Sequence, residues 1–260
     1  MQYFVDTHCH LNDEDFETDL DEVLSRAKAG NIARMMVVGT DELSSTRAVE
    51  LAEKHPYYGL YASVGVHPHD SISIKDGLPD RVHQLSSGPV VRAIGETGLD
   101  YHYDHSPRDI QKISFAWHVD LAKQLNKPLI VHIREAYDDS MDILKREEAR
   151  ECGGVIHCFS GSWENAVAAL DMGFYISFAG PLTYPRNHEL RDVATRIPLE
   201  NLLCETDSPY LAPQGKRGKR NEPANVKNVF EMIAELRGLD METLQKAVWD
   251  NSCKLFKWGE

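Results

Sequence analysis

Eight short apolar or β-branched runs recur along the chain, and this rhythm constrains the fold more than any other feature. They are "YFVDTH" (3–8), "RMMVVGT" (34–40), "LYASVGVH" (60–67), "VVRAIGE" (90–96), "PLIVH" (128–132), "GVIHCF" (154–159), "FYISFAG" (174–180) and "NLLCETD" (201–207). Amphipathic stretches of helical period lie between them. In "DLDEVLSRAKAGN", Leu20, Val23, Leu24 and Ala27 share a face and Gly30 follows as a stop. "DIQKISFAWHVDLAKQLN" is expected to bury Ile110, Ile113, Phe115, Trp117, Leu121 and Leu125, and "METLQKAVWDNSCKLF" reads as a closing helix. Eight strands alternating with helices in 260 residues predict an α/β fold, a (β/α)8 TIM barrel. An open doubly wound sheet would suit fewer strands and a glycine-rich first turn, and no GxGxxG follows the first run. With no linker or low-complexity stretch, residues 1–260 are read as a single domain.

Composition narrows the function. With 42% hydrophobic and 27% charged residues the chain can build a large core, and no apolar run approaches membrane-spanning length. The N-terminus lacks a basic stretch followed by an apolar one, and the five cysteines form no CxxC, so reduced thiols in a cytoplasmic protein are expected. The net charge of −13 argues against a protein that coats nucleic acid through a broad basic face. It leaves room for an enzyme that grips a few phosphates locally.

Polar residues fall repeatedly at the C-terminal ends of the predicted strands, where barrel enzymes carry their active sites. In "FVDTHCHLN", His8 and His10 point to one side of a strand with Asp6 below them. His67, Glu96, His132, His157, Glu205 and Asp207 end later runs. Taken alone, His132 or His157 reads as a satisfied structural histidine. So many imidazoles and carboxylates on one rim would be costly without a purpose, because unpaired buried polar groups destabilise a fold.

Four histidines and two carboxylates exceed the ligand set of one catalytic zinc and suggest two divalent metals. Closure of the barrel would bring His8, His10 and Asp207 together around one ion. His132 and His157 would hold the other, and Glu96 would bridge. Zinc suits this mixture, with manganese or magnesium as alternatives. Asp207 is expected to accept a proton from the attacking water, Glu205 to orient Asp207 or a ligand histidine, and His67 to assist substrate or leaving group. Its alternative is a structural hydrogen bond before Pro68. Arg134, just past His132, offers a planar fork for phosphate. Lys216, Arg217, Lys219 and Arg220 in "QGKRGKRNEP" form the densest basic patch; such a run is commonly a solvated loop, but directly after the eighth strand it is expected to hang over the site and contact phosphate. Tyr210 and the stretch from Tyr101 to Tyr103 could stack on a base or pack the loop.

Taken in order, "FVDTHCHL", "VGVHPHD", "AIGETGLDYHYD", "QLNKPLIVHIREA", "GVIHCFSGS", "GFYISFAG" and "LLCETDSPYLAP…RGKRNEP" resemble the TatD family of metal-dependent deoxyribonucleases, across essentially the full chain. The resemblance implies a two-metal site at His8, His10, Glu96, His132, His157 and Asp207. It also implies phosphodiester hydrolysis of DNA, trimming strands from a 3′ end. Lys216, where many relatives carry histidine, and Ile133, at a position often small and polar, depart from the commonest pattern. An amidohydrolase or lactonase using the same metals is the alternative. A non-catalytic scaffold would be marked by missing ligands, and all six are present. No membrane contact or obligate protein partner is expected, and no apolar stripe is left over beyond the barrel's helices, which favours a monomer.

Overall fold

The computed structural model describes residues 3–74 and 77–258. Its strands and helices alternate in chain order: β1 (Phe4–Cys9), α1 (Leu20–Ala29), β2 (Ile32–Val38), α2 (Glu42–Lys54), β3 (Leu60–Val64), α3 (Asp80–Ser86), β4 (Val91–Asp100), α4 (Arg108–Leu125) and β5 (Leu129–Arg134). There follow α5 (Tyr137–Arg146), β6 (Gly154–Ile156), α6 (Trp163–Asp171), β7 (Tyr175–Phe178), α7 (His188–Arg196), β8 (Leu202–Cys204), α8 (Val226–Arg237) and α9 (Met241–Phe256). The strands pair in parallel in the order β1 to β8, a nearly closed (β/α)8 barrel. Each predicted run overlaps one strand.

Local chemistry explains the helix ends. Asp41 caps α2 by accepting from the Ser44 N–H at 2.6 Å, and Ser162 does the same for α6 with Asn165. Gly30 ends α1, which buries Val23, Leu24 and Ala27 as its period requires. Burying the Val23 and Leu24 side chains contributes about 1.5–3 kcal/mol each. In α4 the outcome differs from the reading of the apolar residues. Ile113 is 44% exposed, whereas Gln111, Phe115, His118 and Ala122 line the buried stripe. The two polar members are buried because backbone N–H groups at the end of β4 and just after β3 need acceptors. Gln111 Oε1 accepts from the Asp100 N–H at 2.8 Å, and His118 Nε2 accepts from the Val66 N–H at 2.9 Å.

Closure between β8 and β1 positions the site. Cys9 bridges Ser208 in parallel, the His10 N–H donates to Ser208 O at 2.7 Å, and the Asp207 N–H donates to His8 O at 2.9 Å. Beneath them, buried Asp6 accepts from the Thr206 N–H at 2.9 Å and from Thr206 Oγ1 at 2.5 Å. On the other side, Gly98 pairs with His132, and a Cβ at Gly98 would lie 2.0 Å from the His132 carbonyl oxygen. Glycine there lets β4 and β5 approach. Several runs leave the sheet sooner than predicted, since β3, β6 and β8 end at Val64, Ile156 and Cys204. His67, His157, Glu205 and Asp207 therefore stand just past their strands, while β4 continues beyond Glu96 to Asp100. Among the described residues, no helix is long and apolar enough to cross a membrane.

Candidate metal centre

The rim residues meet at the C-terminal mouth of the barrel. His8 Nε2 lies 3.1 Å from His10 Nε2, and Asp207 Oδ1 is 3.5 Å from the first and 3.4 Å from the second. Across the mouth, His132 Nδ1 lies 3.3 Å from His157 Nε2. Glu96 sits astride the two groups. Its Oε2 is 3.4 Å from His8 Nε2 and 3.7 Å from His10 Nε2, while its Oε1 is 2.8 Å from His157 Nε2 and 3.0 Å from His132 Nδ1. His67 Nε2 also approaches Oε1, at 3.4 Å. The triads His8–His10–Asp207, His8–Glu96–His157 and His67–Glu96–His132 each bring potential ligand atoms within 4.8 Å of one another.

The donor set fits divalent cations because of what lies behind it. A metal-binding imidazole needs a lone pair on one nitrogen and is usually fixed through the other. His10 Nδ1 faces the Val38 carbonyl at 3.2 Å and so donates, which frees Nε2. His157 Nδ1 faces Glu205 Oε1 at 3.3 Å, and the same oxygen accepts the Cys158 N–H at 2.7 Å. His132 is reversed: its Nε2 faces Asp100 Oδ2 at 3.1 Å, leaving Nδ1 for the centre. His67 has the opposite polarity. Its Nδ1 accepts the His69 N–H at 3.2 Å, so a neutral ring carries its proton on Nε2.

Electrostatics match this arrangement. Burial alone would raise Glu96, but the charge of His157 and the hydrogen bonds from His132 and His157, whose facing nitrogens carry protons while no metal is bound, hold its carboxyl well below the usual range. Burial likewise works against Asp207 ionisation and is outweighed by the hydrogen bond from His10 and the charges of His8, His10 and His157. Burial pushes His67 down to about 4 despite Glu96, which keeps it neutral. The centre thus presents two anionic carboxylates in a ring of imidazoles, a natural cation seat.

The comparisons agree with this chemistry. Residues 5–257 match the family described as TatD related DNase. The chain belongs to the TatD family. It is a metal-dependent hydrolase by that membership, a description several of its relatives carry. It is 46% identical to the "Uncharacterized metal-dependent hydrolase YabD" of Bacillus subtilis, over 97% of this chain and 98% of that protein. It is 35% identical to the "3'-5' ssDNA/RNA exonuclease TatD" of Pantoea ananatis, over 96% of this chain and 98% of that protein. The crystal structure of YJJV, a TatD homolog from Escherichia coli, superimposes with a TM-score of 0.89 at 32% identity and covers 98% of each chain.

In this TatD-family chain the mouth opens into a cavity of about 730 Å³ lined by His10, His67, His132, Arg134, Asp207 and Tyr210, among others. Arg134 is exposed, with its guanidinium 4.8 Å above the Tyr103 ring. Tyr210 is 52% exposed, anchored by its hydroxyl to Asp13 Oδ2 at 2.8 Å and set edge-on to His10 at 5.8 Å. The basic loop behaves differently from expectation. Lys216, Arg217 and Lys219 are exposed and do not line the cavity. Lys216 Nζ bonds Asn225 Oδ1, the Arg217 guanidinium lies 4.6 Å above the Tyr184 ring, and Arg220 pairs with Asp19 at 2.6 Å. Nearby partners hold three of these cations to the flank of the barrel.

Two residues of this centre escape a reading by strand ends. Asp100 is fully buried and supports His132, and His69 Nε2 donates to the same carboxylate at 2.9 Å. The signals are present in the sequence: Asp100 stands four residues after Glu96, on the same face of a strand, and His69 two after His67.

Proposed function

We propose that this chain is a two-metal phosphodiesterase that shortens single-stranded DNA, and the corresponding RNA, from the 3′ end. One observation carries the two-metal reading: the two oxygens of Glu96 are divided between the His8–His10 and His132–His157 groups. His8, His10 and Asp207 would hold one ion, His132 and His157 the other, with Glu96 shared and zinc best suited to the nitrogen-rich set. When bound, the two cations would polarise the phosphoryl group and make the attacking water more acidic. Support for the substrate class comes from the relative in Pantoea ananatis, named as a 3'-5' single-stranded DNA and RNA exonuclease.

The remaining work falls to side chains. Asp207 takes the proton from the attacking water, and Glu205 keeps the His157 ring turned toward Glu96. His67 presents its Nε2 proton to an oxygen on which charge develops, because its Nδ1 is committed to the His69 N–H. Arg134 holds a phosphate oxygen, and Tyr210 offers its open face to the terminal base. The cavity volume lies within the ~300–1,000 Å³ range of small-ligand sites, which suits the end of a strand.

The test is a time course on 3′- and 5′-labelled single-stranded DNA and RNA. Metal-stripped protein is compared with protein restored by zinc, manganese or magnesium. Stepwise loss from the 3′ end, dependent on metal, is the expected result. Two bound metals without cleavage of any oligonucleotide would overturn the nuclease reading and turn attention to amide and lactone substrates.

A further inference from the structure

Among the histidines of the centre, His132 is turned the opposite way round. His8, His10 and His157 direct Nε2 to the carboxylates, whereas His132 directs Nδ1 to Glu96 Oε1 at 3.0 Å. A flipped ring would give up the contact from Nε2 to Asp100 Oδ2 at 3.1 Å. Asp100 is the buried residue that fixes the choice. Its Oδ1 accepts from the backbone N–H groups of His102 at 3.0 Å and Tyr103 at 2.9 Å, so that oxygen cannot turn away. Its Oδ2 accepts from His69 at 2.9 Å as well as from His132. A carboxylate offers lone pairs only, so Asp100 fixes a proton on Nε2, and Nδ1, whose own proton faces Glu96 while no metal is bound, is the nitrogen left to give its lone pair to a metal.

We propose that Asp100 is the positioning residue that commits His132 to hold a divalent metal through Nδ1, and that through His69 it ties the loop after β3 to this half of the centre. The inference rests on the metal reading above and goes beyond it by naming the residue, the nitrogen and the half of the site. Neither Asp100 nor His69 touches the reacting atoms in this scheme. Their effect passes through His132.

The Asp100→Asn variant separates position from bulk. The two backbone N–H groups keep the amide oxygen at the Oδ1 place, so the NH2 faces His132 and His69. His132 Nε2 must then accept, the one ring proton stays on Nδ1, and the nitrogen aimed at Glu96 has no lone pair to give a metal. Long-range 1H–15N spectra of the histidine rings read this in metal-free protein. They are expected to show a proton on His132 Nε2 in wild type and none there in the variant, where only Nδ1–H remains. Calorimetric titration of metal-stripped protein with zinc is expected to show two sites in wild type. In Asp100→Asn one site weakens about 10- to 100-fold, and the other moves less than about twofold.

A His132 ring that carries no proton on Nε2 in wild type overturns the inference, and that measurement needs no variant to fold. Equal zinc affinities at both sites of wild type and variant overturn it as well. A wild type that takes up no metal overturns the metal reading and the inference together. The tautomer spectrum then shows whether Asp100 nonetheless sets the ring.

Discussion

The rim of the barrel and the loop after β8 are both rich in ionisable side chains, and they sit only a few residues apart in the chain at Asp207 and Lys216. At the rim, histidines and carboxylates from widely separated segments meet, with Glu96 touching both histidine groups. In the loop, Lys216, Arg217 and Arg220 turn to Asn225, Tyr184 and Asp19 instead of to the cavity. The difference lies in what holds each residue. A rim residue inherits its direction from a paired strand and from closure of β8 on β1, whereas a loop cation takes the nearest favourable partner. Charge placed on a framework converges, and charge placed on a loop is neutralised where it lies.

Four experiments would sharpen or break that contrast. Glu96→Ala should have the largest effect, because it removes the one carboxylate shared by both histidine groups. Loss of at least one metal, measured by metal analysis, and a fall of more than about 10⁴-fold in nuclease rate are expected. Retention of both metals would show that the centre does not depend on its central carboxylate.

The second concerns the support beneath the rim. Burial pushes His118 down to about 4 from an ordinary 6.5, and its Nε2 must stay unprotonated to accept the Val66 N–H. The folded-state value is depressed, so the unfolded chain takes up the proton first as pH falls. The contribution is therefore intact above pH 6.5 and is lost progressively down to about 4, a total of about 3 kcal/mol. Denaturant midpoints across this window should drop in wild type and drop less steeply in His118→Gln.

Third, Tyr210→Ala should weaken binding of a terminal base by about 1–3 kcal/mol. This would appear as a rise in KM for single-stranded oligonucleotides, with turnover of a small chromogenic phosphodiester preserved. The smallest effect belongs to the loop. Lys219→Ala or Arg217→Ala should change oligonucleotide hydrolysis by less than about twofold at physiological salt. A larger loss with a flattened salt dependence would show that the strand reaches the loop after all, and would break the comparison.

The sequence determined the barrel and most of its centre. Eight apolar runs separated by amphipathic stretches leave one economical way to bury both periodicities, and the proposed ligands lie at or just past the ends of those runs. What the runs could not show was which polar residues are buried for support. Gln111 and His118 occupy the inner stripe of α4, and Ile113 lies outside, because backbone N–H groups at the end of β4 and in the loop after β3 demand acceptors. Hydrophobic periodicity has no term for that demand. Asp100 was hidden for a related reason, since β4 continues past Glu96 and its neighbours His69 and His132 come from loops and strands distant in the chain. The basic loop shows the converse: charge density is visible in a sequence, but its direction is not. The set of proposed ligands followed from local pattern. Ring orientation, tautomer and the fate of each exposed cation depend on hydrogen bonds between residues far apart in sequence, and only the closed barrel brings those together.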